Sequence, residues 1–116
     1  DPLQVRVRLC PEFDPEGTTG MVAGLVLDSV TGAVLGDVPV KIAWQRRVVV
    51  DGVLRREELS VTSTTDDRGY YFGCGIPIET ILTVETEPDT YERESAQTEV
   101  GRERLRRVDL VLERRR

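Results

Sequence analysis

The amino-acid sequence predicts an all-β protein, an antiparallel two-sheet β-sandwich. Apolar and polar residues alternate with a period of two through most of the chain, and no stretch shows the period of an α-helix. Turn-forming residues separate the alternating stretches at short intervals, as in sandwich folds. The 116 residues are enough for one domain with one modest core.

The first 19 residues separate into a strand and a linker. Residues 3–9 have one apolar face, formed by Leu3, Val5, Val7 and Leu9. Residues 11–19 contain two prolines and three acidic residues, which is typical of a linker. We therefore expect two units: an N-terminal strand with its linker over residues 1–19, and a sandwich over residues 20–116.

Residues 21–28 form the next predicted strand, and it is apolar on both faces. Val22, Gly24 and Val26 share one face. The residues of the other face are Met21, Ala23, Leu25 and Leu27. One face of a strand in a sandwich normally meets water, so we expect an additional element to cover the second face.

An inserted hairpin is predicted over residues 46–58, after a strand at residues 38–44. Its signal is Asp51-Gly52 between β-branched residues, the preferred pair for a tight hairpin turn. Because isolated apolar ribbons are marginally stable, we expect this hairpin to pack on its own sandwich or on a neighbour. The remaining predicted strands cover residues 60–65, 70–74, 80–86, 92–100 and 105–112.

Composition excludes several function classes. The chain contains no histidine, which removes the commonest general base and the usual zinc ligand. The net charge of −5 argues against nucleic acid as a partner. No apolar run approaches 18 residues, so we predict no membrane span. We expect no catalytic, cofactor-binding or metal site.

Two cysteines, Cys10 and Cys74, lie far apart in the sequence. Each belongs to an apolar strand-like run, and two free buried thiols are one interpretation. We favour a disulfide between them, which would imply an oxidising compartment. Peptide mapping under non-reducing conditions checks this pairing, and free alkylatable thiols would contradict it.

The sandwich resembles the carboxypeptidase regulatory-like family. The residues that carry the resemblance are Gly24, Val26, Asp28, Thr31, Gly32, Leu35, Val38, Val40, Thr65, Asp67, Gly69, Tyr71, Phe72 and Pro77. The likeness covers residues 20–112 and implies a prealbumin-like (transthyretin-like) sandwich of about seven strands. It also implies a non-enzymatic domain of a bacterial secreted or surface protein.

The leading functional hypothesis is a structural module that self-assembles, into a fibre if the contacts do not close. Strand 3–9 would pair with a neighbouring subunit by β-strand addition, against the second apolar face of residues 21–27. Two alternatives remain open: a monomeric accessory domain, and a carbohydrate-binding module in which Trp44 and Tyr91 contact a glycan. The expected partners are therefore a second copy of the chain or a glycan, outside the cell or on a bacterial surface.

Overall fold

The computed structural model describes residues 19–115, which form two four-stranded sheets. The eight strands are β1 (Thr19–Asp28), β2 (Pro39–Val50), β3 (Val53–Thr64), β4 (Tyr70–Pro77), β5 (Ile81–Thr86), β6 (Glu94–Glu99), β7 (Leu105–Arg107) and β8 (Leu110–Leu112). Sheet I has the order β4-β1-β7, with β8 also paired to β1, and sheet II has the order β3-β2-β5-β6. The predicted all-β sandwich is confirmed. Within residues 19–115 there is no helix with the length and apolar character that crossing a bilayer requires.

Sheet I is mixed, which corrects the expectation of antiparallel pairing throughout. Both β7 and β8 run parallel to β1, whereas β4 is antiparallel to it. The reason is the route of the chain. Strand β6 ends at the same end of the sandwich where β1 begins, so the chain crosses to sheet I and then continues in the direction of β1.

The short segment between β7 and β8 lies directly against Gly24 of β1. A Cβ atom at Gly24 would lie 1.8 Å from the carbonyl oxygen of Val108. The amide of Val108 donates to the carbonyl of Ala23 at 2.8 Å, and the buried Tyr71 hydroxyl donates to the carbonyl of Val108. Because Gly24 has no side chain, the segment that joins β7 to β8 can lie directly against the middle of β1.

The core lies between the two sheets and takes alternate residues from each strand. Val22 and Val26 of β1 face Val40 and Ile42 of β2, and all four are fully buried. The other buried core residues are Val38, Tyr71, Ile76, Leu82, Val84, Tyr91, Val100, Val108, Leu110 and Leu112. Most apolar positions of the period-two pattern thus point inwards, as predicted.

Strands β1, β3, β5 and β8 end at one end of the sandwich, which we call the loop end. Thr65 joins two of the loops there, because its hydroxyl donates to the carbonyl of Leu35 at 2.7 Å and accepts from the amide of Val38 at 2.9 Å. Gly69 has a φ of 80°, which favours glycine in the turn before β4. The opposite end, where β2 turns into β3, is the hairpin end.

The predicted hairpin forms, although it is not a separate insertion. Strands β2 and β3 pair continuously from Pro39–Thr64 to Val50–Val53, so residues 46–58 are the outer part of one long hairpin. Asp51 and Gly52 have φ values of 50° and 77°, as a type I′ turn requires. Val49 is 71% and Leu54 63% exposed, so this part does not pack on its own sandwich, and packing on a neighbour, the other half of the expectation, stays a prediction.

The contact between Gly24 and Val108 makes the first testable prediction. We expect Gly24→Ala to lower the free energy of unfolding by about 3 kcal/mol, because a methyl group would push the β7–β8 passage away from β1. Chemical denaturation measures this change. Gly101→Ala is the matched control, since its new methyl group would meet only the flexible end of Glu103. Equal stabilities of the two variants would contradict the prediction.

Candidate assembly surfaces

The outer edge of sheet I is formed by β4. This strand pairs with β1 on one side and has no ladder on its other side among residues 19–115. There the amide of Phe72 donates to the hydroxyl of Ser63 at 3.4 Å. Unpaired backbone groups along such an edge are a template for another strand, so β4 is a candidate acceptor.

Aromatic side chains lie beside this edge on the outer face of sheet I. Tyr70 is 50% and Phe72 40% exposed, and they lie opposite Leu25 and Ala23 of β1. These four residues, Ala23, Leu25, Tyr70 and Phe72, form what we call the β4 patch. Exposed contiguous apolar surface of this kind often marks an interaction site.

Cys74 continues the outward-facing positions of β4 and is half-buried beside the β4 patch. The strand bulges directly after it, at Gly75, whose φ is 71°. Cys10 lies outside the described residues, so the Cys10–Cys74 disulfide stays a prediction. If the bridge forms, it brings the residue that follows strand 3–9 to the β4 side of the sandwich.

The predicted assembly residues have different outcomes. Leu3, Val5, Val7 and Leu9 lie outside the described residues. On β1, Met21 is 2% exposed and offers no open surface, which corrects its assignment to the interface. Ala23, Leu25 and Leu27 are half-buried on the outward face. Since β4 and β7–β8 occupy both edges of β1, β1 itself has no edge open to an added strand. Among residues 19–115, β4 is the longest outer strand of sheet I, because β7 and β8 have three residues each.

The predicted glycan contacts do not form a common surface. Trp44 is partly buried and packs against the core. Tyr91 is only 8% exposed, and its hydroxyl donates to Asp28 at 2.9 Å. Tyr91 therefore has no ring face available for stacking on a sugar, which corrects its assignment as a glycan contact.

Sheet II carries a shallow polar groove of about 770 Å³ on its outer face. Its floor includes the small residues Ala43 and Thr83, and charged side chains such as Glu85 and Arg93 form its rim. Trp44 also lines it, and its side chain is partly buried against the core. Within residues 19–115 no three acidic, cysteine or histidine side chains are placed to hold a metal ion.

A buried carboxylate holds the loop end together. Asp28 is 2% exposed, and one of its oxygens accepts hydrogen bonds from the amides of Val30 at 2.8 Å and Thr31 at 3.0 Å. The other oxygen accepts from the Tyr91 hydroxyl and from Nε of Arg114, at 3.0 Å for the latter. Asp28 thus joins the end of β1, the loop before β6 and the last described residues of the chain.

These hydrogen bonds hold the pKa of Asp28 well below its ordinary value, with the amides of Thr31 and Val30 contributing most and the Tyr91 hydroxyl adding to them. Burial acts in the opposite direction and is outweighed. The resemblance marked Asp28 as a family position, but the sequence held no signal for its partners Tyr91 and Arg114, which are 63 and 86 residues away.

Comparisons with known proteins find likeness only among solved structures. No family model and no curated protein matches the chain. The C-terminal domain of the shaft pilin SpaA from Lactobacillus rhamnosus GG superposes with a TM-score of 0.61 at 16% identity, over 85% of this chain and 100% of that domain. The backbone protein of pilus 2b from group B Streptococcus gives 0.61 at 15% identity, over 83% of this chain and 41% of that one.

A catechol 1,2-dioxygenase from Acinetobacter is also similar, with a TM-score of 0.55 at 14% identity over 89% of this chain and 55% of that one. At these identities the likeness shows the fold alone. The chain also spans only about half of the longer SpaA shaft pilin, 52% of its length. The neighbours support a sandwich of the pilin-domain type, and the narrower resemblance to the carboxypeptidase regulatory-like family is not confirmed.

The Asp28 cluster makes a prediction about pH. Because the folded protein holds the pKa of Asp28 low, the carboxylate stabilises the fold above the unfolded value of about 3.9, and this contribution is lost as the pH falls towards the folded value. We therefore expect Asp28→Asn to be destabilised relative to the parent chain at neutral pH, by a margin that shrinks below about pH 4.

Denaturation of both proteins across the acid range measures this margin. Asp89→Asn is the control, since Asp89 is an exposed acid at the same end of the sandwich. A margin for Asp28→Asn that stays constant down to the lowest pH would contradict the role of the carboxylate.

Proposed function

We propose that this chain is a non-enzymatic structural module, located outside the cell or on a bacterial surface, whose subunits self-assemble by β-strand addition through residues 3–9. The observation that carries the proposal is the outer edge of β4, which pairs with no strand within residues 19–115, beside the exposed β4 patch. A donor strand there would extend sheet I through backbone hydrogen bonds.

The chemistry of strand 3–9 suits that edge. Its apolar face, Leu3, Val5, Val7 and Leu9, matches the apolar character of the β4 patch. Full burial of each side chain contributes roughly 1.5–3 kcal/mol, which is enough in sum to offset the cost of association. Arg6 and Arg8 alternate with these residues and belong to the opposite face of the predicted strand.

The linker has the length for this arrangement. A Cys10–Cys74 bridge within one subunit would fix the end of strand 3–9 beside its own β4, and the strand would then extend towards the next subunit. Residues 11–18, between Cys10 and the start of β1, span up to roughly 26 Å when extended. Such a bridge would also imply an oxidising location, since disulfides persist mainly outside the cytosol.

A structural role fits the described interior better than a catalytic one. The four buried polar residues of residues 19–115 are Asp28, Thr65, Thr86 and Arg104, and each makes hydrogen bonds inside the fold. Their hydrogen-bonding groups are used to connect strands and loops. The likeness to pilin domains supports the same class of function, because those proteins are named as the shaft or backbone of a pilus.

Single charges in the donor strand test the proposal. We expect Val5→Asp, and separately Val7→Asp, to abolish filament formation, because an unpaired carboxylate would be buried at the β4 edge. Negative-stain electron microscopy and light scattering measure assembly, and circular dichroism checks that the sandwich stays folded. Gln4→Asp is the matched control, with the same new charge on the opposite face of the same strand.

Assembly of Val5→Asp and Val7→Asp at the level of the parent chain would refute the role of strand 3–9. A parent chain that stays monomeric at high concentration would favour the accessory-domain alternative. Glycan-array binding that Trp44→Ala removes would favour the carbohydrate-binding alternative.

A further inference from the structure

The outer part of the β2–β3 hairpin projects away from the sandwich. Strand β2 pairs with β5 only over Lys41–Ala43, and β5 begins at Ile81. The hairpin therefore continues for about five residues, roughly 17 Å, past the start of β5. We call residues 46–57 the hairpin arm.

The arm is apolar on both faces and exposed on both. Val49 and Leu54, which lie opposite each other, are 71% and 63% exposed. Val50 and Val53, the next pair, are also exposed and point to the other face. A two-stranded ribbon of this kind is marginally stable alone, so its apolar side chains need a surface to pack against.

The arm is also basic, and its charges are badly placed for an isolated hairpin. Arg47 lies directly opposite Arg56, a like-charge pair that destabilises the ladder. Arg46 is paired with Glu57 at 3.2 Å, whereas Arg47, Arg55 and Arg56 have no ion-pair partner among residues 19–115. An anionic surface against the arm would relieve this repulsion.

The loop end of the same molecule has the complementary character. Its exposed carboxylates are Asp37, Asp66, Asp67, Glu87, Asp89 and Glu92. Four described arginines lie at this end: Arg93 is paired with Glu85 and Arg114 with Asp28, which leaves Arg68 and Arg115 against the exposed acids. Val30 and Val34 are 86% and 45% exposed among these acids. The loop end thus offers negative charge and apolar surface together, at the end of the sandwich opposite the arm.

We propose that the hairpin arm docks on the loop end of a second copy of this chain. The contact joins two different surfaces at opposite ends of the molecule, so it is heterologous and does not close on itself unless the rotation happens to form a ring. It deepens the proposed function, on which it rests, by adding an axial contact to the lateral one made by strand 3–9. Strand addition joins subunits side by side and the arm joins them end to end, and the filament needs both contacts.

Charge reversal on each of the two surfaces, followed by mixing of the two variants, tests the contact in the full chain. The double variant Arg47→Glu/Arg56→Glu reverses the charge of the arm. It keeps a like-charge pair at the same two positions, so the repulsion within the hairpin stays comparable. The double variant Asp67→Arg/Asp89→Arg reverses charges at the loop end. It leaves Asp66 unchanged, because the Asp66 carboxylate accepts hydrogen bonds from the amides of Arg68 and Tyr70. Arg102→Glu/Arg106→Glu is the control, with the same charge change outside the arm.

We expect each reversed variant to raise the critical concentration for filament growth at least about 100-fold, because like charges would face each other. Each should lose the end-to-end contact and keep only the side-by-side association through strand 3–9, which alone is too weak for filament growth at the parent concentration. An equimolar mixture of the two reversed variants should restore growth, and growth of the parent chain should weaken as ionic strength rises from about 0.05 to about 0.5 M. Sedimentation velocity and electron microscopy give these results.

If both reversed variants form filaments at the concentration at which the parent chain does, the arm contact is refuted, whereas strand addition through residues 3–9 is not. Elongation of Val5→Asp, with none for the reversed arm, would support the arm contact and overturn strand addition. A parent chain that binds heparin through the arm without self-associating would show an anionic polymer as the occupant and overturn the proposal. A parent chain that never self-associates would overturn both.

Discussion

The contact of Val108 with the bare backbone at Gly24 is the constraint on which sheet I depends. Any larger residue at position 24 would displace the β7–β8 passage, and that passage supplies the carbonyl that the buried Tyr71 hydroxyl donates to. The burial of Tyr71 and the nearby Asp109 carboxylate raise the pKa of that hydroxyl, which keeps it a donor. β1 is thereby enclosed by β4 on one side and by β7 and β8 on the other, and within residues 19–115 β4 is the longest outer strand of sheet I.

The same enclosure determines which surfaces face outwards. The buried polar groups of Asp28 and Thr65 form hydrogen bonds within the fold, and these bonds connect the loops at one end. The exposed apolar surface is concentrated in the β4 patch, the hairpin arm and the loop end. These exposed apolar surfaces are the ones on which the proposed contacts between copies rest.

Local patterns predicted the local structure. The two-residue period identified most strands, and Asp51-Gly52 identified the hairpin turn because its geometry depends on two adjacent residues. The parallel return of β7 and β8 escaped prediction, because pairing direction depends on how the chain crosses between sheets. Tyr91 was mistaken for an exposed aromatic, because its partner Asp28 lies 63 residues away and has no local signature. The apolar arm was recognised, but its projection beyond the sandwich depends on where β5 begins.

The central claim is that this module associates through strand 3–9, the β4 edge and the hairpin arm. Amide hydrogen exchange of the full chain, compared between dilute and concentrated solutions, tests it most directly. The account predicts added protection on concentration at residues 3–9, 48–55 and 70–74 and in the loops of the loop end, with little change in the already paired centre of β1 and β5. Identical exchange at both concentrations, with rapid exchange throughout residues 48–55, would contradict it.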